Sequence, residues 1–249
     1  SGWDMPPFYF VGGTFMKRRV LLKLSGEVLS GEGQKGFNDD AIEYLTQEIK
    51  KVSKEGFNIG MVVGAGNLFR GKELDKLTNS IADNIGMLGT VINAIYLKDF
   101  FEKQGIKTVV VSQIVSLPSV KPIQYDDIDL YFNSGYVVIF AGGTSNPFFT
   151  TDTAAAIRSV EMKADLIVKA TKVDGIYTKD PKKYNDALKY DTITYEEAIS
   201  KNLKVLDTEA FAICQRYNMP IVVLDFFMKD NLIKALKGEN VGTRVVEKL

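Results

Sequence analysis

Arg19-Val20-Leu21-Leu22-Lys23-Leu24 runs straight into Ser25-Gly26-Glu27. An apolar run with no polar alternation fits a strand buried on both faces, and the Ser-Gly after it fits a turn at the strand's carboxyl end. The same grammar repeats along the 249 residues. Phe57-Asn58-Ile59-Gly60-Met61-Val62-Val63 ends at Gly64-Ala65-Gly66, residues 136–141 end at Gly142-Gly143-Thr144, and residues 165–170 end at Thr171-Lys172-Val173-Asp174-Gly175. Further strands are expected over 107–112 and 221–224, with a closing strand over 243–246.

Helical patterns separate these runs. Asp39 or Asp40 is expected to cap a helix running to about Lys54. Ile81, Ile85, Leu88, Ile92 and Ile95 recur at helical spacing, with Gly86, Gly89 and Asn93 off the stripe, where another backbone or a partner could approach. Residues 153–162 predict a helix with Asp152 as its cap, and 207–217 and 231–236 predict two more. Continuous strands alternating with helices predict an α/β protein, a three-layer α/β/α sandwich with a mostly parallel central sheet. One domain is expected over residues 16–249. Residues 1–15 are read as a tag remnant or disordered N-terminal extension, with Met16 or Met5 as the native start.

The composition excludes several chemistries. There are 31 basic and 31 acidic side chains, one cysteine and no histidine. Histidine-based triads, histidine-ligated zinc and an imidazole general base are therefore ruled out. A net charge of zero argues against a dedicated nucleic-acid binder, and no apolar run reaches membrane-spanning length. Cys214, in the apolar stretch 210–214, reads as a small buried hydrophobe in a reducing cytoplasm.

The strand ends carry the functional signal. In open α/β sheets ligands bind beyond the carboxyl ends of the strands, and glycines there let backbone amides approach an anion. Three such loops, with Lys23 and Arg70, point to a polyanion such as a nucleotide phosphate. Gly66-Asn67-Leu68-Phe69-Arg70-Gly71-Lys72-Glu73 imitates a phosphate loop, but Glu73 stands where that loop needs Ser or Thr. Asp126, Asp127 and Asp129 lack the spacing of a calcium loop and read as a solvated helix start, and Glu196-Glu197 after Thr194 reads as helix N-terminal charge. Tyr177 is placed to stack on a base and Asp180 to accept from a sugar hydroxyl.

The chain resembles the bacterial uridylate (UMP) kinases of the amino acid kinase superfamily over roughly residues 17–247. The likeness rests on Leu22-Lys23-Leu24-Ser25-Gly26-Glu27, Gly66-Asn67-Leu68-Phe69-Arg70-Gly71, and Asp83 with Gly86-Met87-Leu88. It rests further on Asn146-Pro147-Phe148-Phe149-Thr150-Thr151-Asp152, Lys169-Ala170-Thr171-Lys172-Val173-Asp174-Gly175 and Leu203-Lys204-Val205-Leu206-Asp207. The resemblance implies the amino acid kinase fold and transfer of the ATP γ-phosphoryl group to UMP. It implies that Lys23, Leu24, Ser25, Gly26, Gly66, Arg70, Thr171, Tyr177 and Asp180 bind ATP. Gly64, Ala65, Asp83, Thr144, Ser145, Asn146, Pro147, Phe148, Phe149, Thr150 and Thr151 would bind UMP, and Lys23, Arg70, Asp152 and Lys169 would form the catalytic set. It also implies Mg²⁺ carried with ATP rather than held by protein ligands, a cytoplasmic homohexamer, and UTP and GTP as effectors, with no nucleic-acid or membrane partner.

Ala65 stands where that family shows a third glycine. It keeps its amide if φ is negative, whereas φ above zero would cost it about 1 kcal/mol. Three other readings compete: a relative acting on a carboxylate or carbamate, a nucleotide-binding regulator without catalysis, and an RNA binder.

Overall fold

The computed structural model describes residues 8–11, 14–31, 35–69, 71–181, 183–203 and 205–248. Arg70 and Lys204 lie outside them. Elements are numbered in chain order. Phe8–Val11 (β1) and Thr14–Lys17 (β2) pair antiparallel, within and beside the stretch expected to be an extension. Arg19–Leu24 (β3) is buried at all six positions, as the sequence pattern predicts. Glu27–Ser30 (α1) and Asp39–Lys54 (α2) lead to Asn58–Val63 (β4). Gly71–Leu74 (α3) and the 25-residue Asn79–Lys103 (α4) lead to Thr108–Ser112 (β5) and Val120–Pro122 (β6). Tyr125–Asn133 (α5), Val137–Ala141 (β7), Thr151–Glu161 (α6) and Leu166–Thr171 (β8) follow. Thr192–Thr194 (β9), Tyr195–Ser200 (α7), Thr208–Arg216 (α8), Ile221–Asp225 (β10), Asn231–Leu236 (α9) and Thr243–Val246 (β11) complete the order.

Nine of the described strands form one sheet in the order β6-β5-β7-β4-β3-β8-β10-β11-β9. Every pairing in it is parallel except β10 with β11. Alternate β3 side chains enter two apolar cores, one on each face. Leu22 and Leu24 meet α2, α4 and α9, while Leu21 meets the α5, α6 and α8 layer. The chain builds outward from β3 to one edge, then α6 carries it back across to β8 on the other side of β3. Lys23 and Lys169 lie near the carboxyl ends of the two strands that meet at this reversal.

Several expectations are corrected. Helix α2 is capped by Asn38, whose side chain accepts from the Ala41 N–H at 2.9 Å, so Asp39 and Asp40 fall in the first turn, where their charge still favours the dipole. Asp129 is not a freely solvated helix-start charge. Arg19 donates to it at 2.5 Å and Lys163 lies 3.4 Å away, pairs that pull its pKa below the ordinary value although burial opposes them. Most of the apolar stripe of α4 faces outward: Ile81, Leu88 and Ile92 are half-exposed, with Ile95 packed against the core, while Gly89, Thr90, Asn93, Ala94 and Leu97 are buried. The approaching backbone foreseen beside Gly89 and Asn93 is the loop after β4. Cys214, by contrast, is the buried hydrophobe expected: it is fully buried, and burial pushes its thiol up to about 12, so it is no nucleophile.

Candidate active site

Strands β3 and β8 pair so that Lys23 is the register partner of Lys169. In a parallel sheet partners project to the same face. Both are on the face covered by α6, whose first turn carries Asp152 between them. Lys23 Nζ lies 2.7 Å from Asp152 Oδ1, and Lys169 Nζ lies 2.7 Å from Oδ2. The second contact is a directed hydrogen bond, and the first is an ion pair only. Lys169 also donates to the Val205 carbonyl at 2.6 Å. Burial by itself would raise the Asp152 pKa, but the two ammonium groups outweigh it and hold the carboxyl below its ordinary value. Burial, seconded by the like charge of Lys23, lowers the Lys169 pKa against the pull of Asp152.

Asp152 does not cap α6. Thr150 is the cap, its hydroxyl accepting from the Asp152 N–H at 3.0 Å, because the Asp152 carboxylate is held by the two lysines. Thr150 in turn hydrogen-bonds Asp207 Oδ2, and the Thr153 hydroxyl donates to Asp207 Oδ1 at 2.9 Å. Asp207 also caps α8 by accepting from the Ala210 N–H at 2.8 Å. One carboxylate thus fastens the start of α6 to the start of α8.

The glycine loops touch. A Cβ on Gly26 would sit 2.5 Å from both Gly64 O and Gly66 N, so the turns after β3 and β4 are in backbone contact. The Gly64 N–H is spent on the Leu24 carbonyl at 2.9 Å, whereas the Ala65 and Gly66 N–H groups meet no acceptor among the described residues. Ala65 is not a positive-φ residue, so its methyl carries no left-handed strain. The loop is tied to α4 by two fully buried amides. Asn93 donates to Gly64 O at 2.8 Å and to Asn67 Oδ1 at 2.7 Å, and Asn67 returns a hydrogen bond to Asn93 at 3.0 Å.

Two cavities flank this centre. The first, of about 380 Å³, is lined by Ala65, Gly66, Asp83, Gly86, Met87, Gly143, Phe149, Thr150 and Thr151. The second, of about 410 Å³, is lined by Lys169, Thr171, Tyr177 and Asp180, with Val205 and Leu203. Thr144, Ser145, Asn146, Pro147 and Phe148 form the loop bordering the first cavity without lining it, and Ser145 and Phe148 have positive φ of 70° and 73°. Asp83 Oδ2 accepts from the Phe148 N–H at 2.7 Å, joining α4 to that loop. Tyr177 is anchored by donating to Asp174 at 2.7 Å. Lys23, Leu24, Ser25, Gly26 and Gly64 line neither cavity. Leu24 is fully buried, and its carbonyl is taken by the Gly64 N–H at 2.9 Å. Glu73 pairs with Lys35, which agrees with rejecting the phosphate-loop reading. Arg70, expected on phosphate, lies outside the described residues.

Sequence reasoning assigned no role to Asp207, Asn67 or Arg158, and of Asn93 it foresaw only that another backbone or a partner could approach there. Asp207 looks like an ordinary helix cap, and an amide pair 26 residues apart leaves no local signal. Arg158, on a helix, looks like a solvated charge, yet it is 2% exposed.

A family model described as the amino acid kinase family matches residues 18–225. The chain is 70% identical over 234 residues to the uridylate kinase of Fervidobacterium nodosum, covering 94% of this chain and all of that one. It is 68% identical over 233 residues to the uridylate kinase of Thermosipho melanesiensis, again covering 94% of this chain and all of that protein. The solved structure of UMP kinase from Bacillus anthracis superposes with a TM-score of 0.91 at 33% identity, covering 93% of this chain and 97% of that chain. The family model spans most of the chain and these relatives match it nearly end to end: the chain belongs to the amino acid kinase family.

Proposed function

We propose that the protein transfers the γ-phosphoryl group of ATP to UMP, giving ADP and UDP. The observation that carries this reading is the Lys23–Asp152–Lys169 centre, with net charge +1, set between two cavities. The relatives' printed activity supports the choice of substrates. UMP is assigned to the cavity holding Asp83, Thr150 and Thr151, and the ATP nucleoside to the one holding Thr171, Tyr177 and Asp180.

The acceptor is a phosphate oxygen already ionised at pH 7, with a second pKa near 6, so no general base is required. That suits a chain without histidine. The difficulty is bringing two anions together, which demands cations and amide dipoles placed in advance. Lys23 and Lys169 supply the charge, Asp152 fixes both ammonium groups, and the free amides of Ala65 and Gly66 add donors. Gly64 contributes its place in the loop rather than its N–H. Arg70 is assigned to phosphate by resemblance alone.

Among the described residues no group of three acidic, cysteine or histidine side chains is arranged to hold a metal, and Asp152 is engaged by its lysines. Mg²⁺ is proposed as the counter-ion of ATP, bound mainly through phosphate and water. A homohexamer is proposed from the family likeness, supported by the exposed Ile81, Leu88 and Ile92 along α4 and Leu77 just before it. Light scattering tests it. UTP and GTP are retained as effectors, tested by adding each to the assay. A cytoplasmic location is proposed too; among the described residues no helix is long and apolar enough to cross a membrane.

The deciding experiment is ADP release with a panel of UMP, CMP, aspartate, acetylglutamate and carbamate. Release with UMP above all others is expected. Faster release with a carboxylate or carbamate, or none with any acceptor, would overturn the assignment.

A further inference from the structure

Gly142 to Ser145 form a hydrogen-bonded turn: the Ser145 N–H donates to the Gly142 carbonyl at 3.0 Å. Gly143, at the first central position, has φ +59°, and Thr144, at the second, is not a positive-φ residue. This is the pattern of a type II′ turn. The soft motion of such a turn is a flip of its central peptide, here the one joining Gly143 and Thr144. In a planar trans peptide the C=O and the following N–H point in opposite directions, so whatever grips the Gly143 oxygen also aims the Thr144 N–H.

Arg158 grips that oxygen from beneath, its Nη2 donating to Gly143 O at 3.3 Å. The same nitrogen donates at 3.4 Å to Gln113 Oε1, which also accepts from the Ser145 hydroxyl at 3.0 Å. The other arm of the guanidinium reaches Glu161 at 2.6 Å, which fixes its plane. On the far side of the turn, Thr90 of α4 accepts from the Gly142 N–H at 2.8 Å. The Thr144 N–H meets no acceptor among the described residues. Arg158 is a poor device for stability alone: it is 2% exposed and its Nε is buried without a partner.

We propose that Arg158, with Gln113, is a positioning residue for pyrimidine choice. It locks the Gly143–Thr144 peptide so that a donor N–H, not an acceptor C=O, faces the nucleobase at the rim of the cavity that Gly143 lines. The inference rests on assigning UMP to that cavity. Uracil carries a carbonyl acceptor at ring position 4, where cytosine carries an amino donor. A fixed N–H therefore pairs with uracil and meets a second donor in cytosine, and sites built on such hydrogen bonds discriminate strongly. A flipped peptide would offer a carbonyl and reverse the preference. Thr144 assists, since a β-branched residue resists the positive φ that the flipped turn needs.

The test compares kcat/KM for UMP and for CMP in the unaltered protein, Arg158→Lys and Gln113→Ala. Lys keeps the charge beside Glu161 but lacks the planar fork. Gln113 is exposed, so Gln113→Ala leaves folding intact and decides the matter alone if Arg158→Lys does not fold. The expected result is a UMP-to-CMP ratio lowered about tenfold in Arg158→Lys and roughly threefold in Gln113→Ala, with the ATP KM within about twofold. A ratio unchanged in the folded variants overturns the inference, and so does an equal loss on both KM values, which marks a merely structural role. If the unaltered protein does not phosphorylate UMP, the underlying assignment falls and the inference falls with it.

Discussion

Two clusters of three charges lie on opposite faces of the sheet. On the α6 face, Lys23 and Lys169 share Asp152. On the α2–α9 face, Glu48 and Asp230 share Lys51, at 2.5 and 2.7 Å. The chemistry is alike and the stoichiometry is inverted. The first keeps a spare positive charge between two cavities. The second keeps a spare negative charge away from both cavities, with Lys51 and Asp230 partly exposed and Glu48 2% exposed, one of its oxygens without a partner. Hydrogen bonds to Asp230 and then Glu48 raise the Lys51 pKa, and burial followed by the nearby Glu48 pushes the Tyr44 hydroxyl up to about 12. The difference teaches which charge is available. Removing one cation from the first cluster leaves a neutral pair, so the fold tolerates it and the reaction does not. Removing the cation from the second leaves two carboxylates, so the fold suffers and the reaction does not.

The largest expected effect breaks or keeps that contrast directly. Lys23→Ala should lower kcat by about 10³-fold, the usual order for one lost electrostatic contact to a transferring group, with UMP KM within about threefold. Thermal unfolding should stay nearly in place, because Lys169 still neutralises Asp152. Normal turnover in this variant would end the assignment of Lys23. Next in size, Lys51→Ala should cost about 2 kcal/mol. That is less than a fully buried pair because Lys51 is 39% exposed, and it corresponds to a Tm lower by about 4–8 °C. Its kcat should be unchanged, and an equal loss of activity would erase the distinction between the clusters.

A pH measurement sharpens it further. The folded Asp152 pKa is below the unfolded one, so the unfolded chain binds the proton more readily. The stability it contributes is complete above the unfolded value, about 3.9, and is lost as pH falls through the lower folded value. Denaturant melts of the protein and of Asp152→Asn should therefore converge as pH falls below about 4. Curves that stay parallel would mean that Asp152 is not held by its lysines in the folded state.

How much of this was legible in the sequence depends on range. Buried strands such as Arg19–Leu24 announce themselves by unbroken apolar runs, and glycine-rich strand ends announce backbone approach, because both signals are local. Strands β6 and β9 do not, since three residues carry no period and Pro122 closes one of them. The facing of Lys23 and Lys169 is a register between strands about 146 positions apart and has no local trace. Periodicity gave α4 its existence but not its face. An apolar stripe is read as core-facing, but here Val91, Ala94, Leu97 and Phe101 turn to the core, while Gly89 and Asn93 are buried against the loop after β4.

That face supplies the smallest test. A Cβ on Gly89 would lie 2.8 Å from the Ala65 Cβ and 3.2 Å from the Phe69 ring. Gly89→Ala should therefore push the loop after β4 off α4 and cost about 1 kcal/mol, the low end for overpacking, because a loop can give where a core cannot. Ala65→Gly removes the methyl in the way while keeping the backbone amide proposed to meet phosphate. The double variant should then recover most of the lost Tm and of any raised UMP KM. Distant, independent sites would add instead of compensating. Additive losses would mean that the Ala65 methyl does not rest on Gly89, and that α4 and the loop after β4 are not coupled at this point.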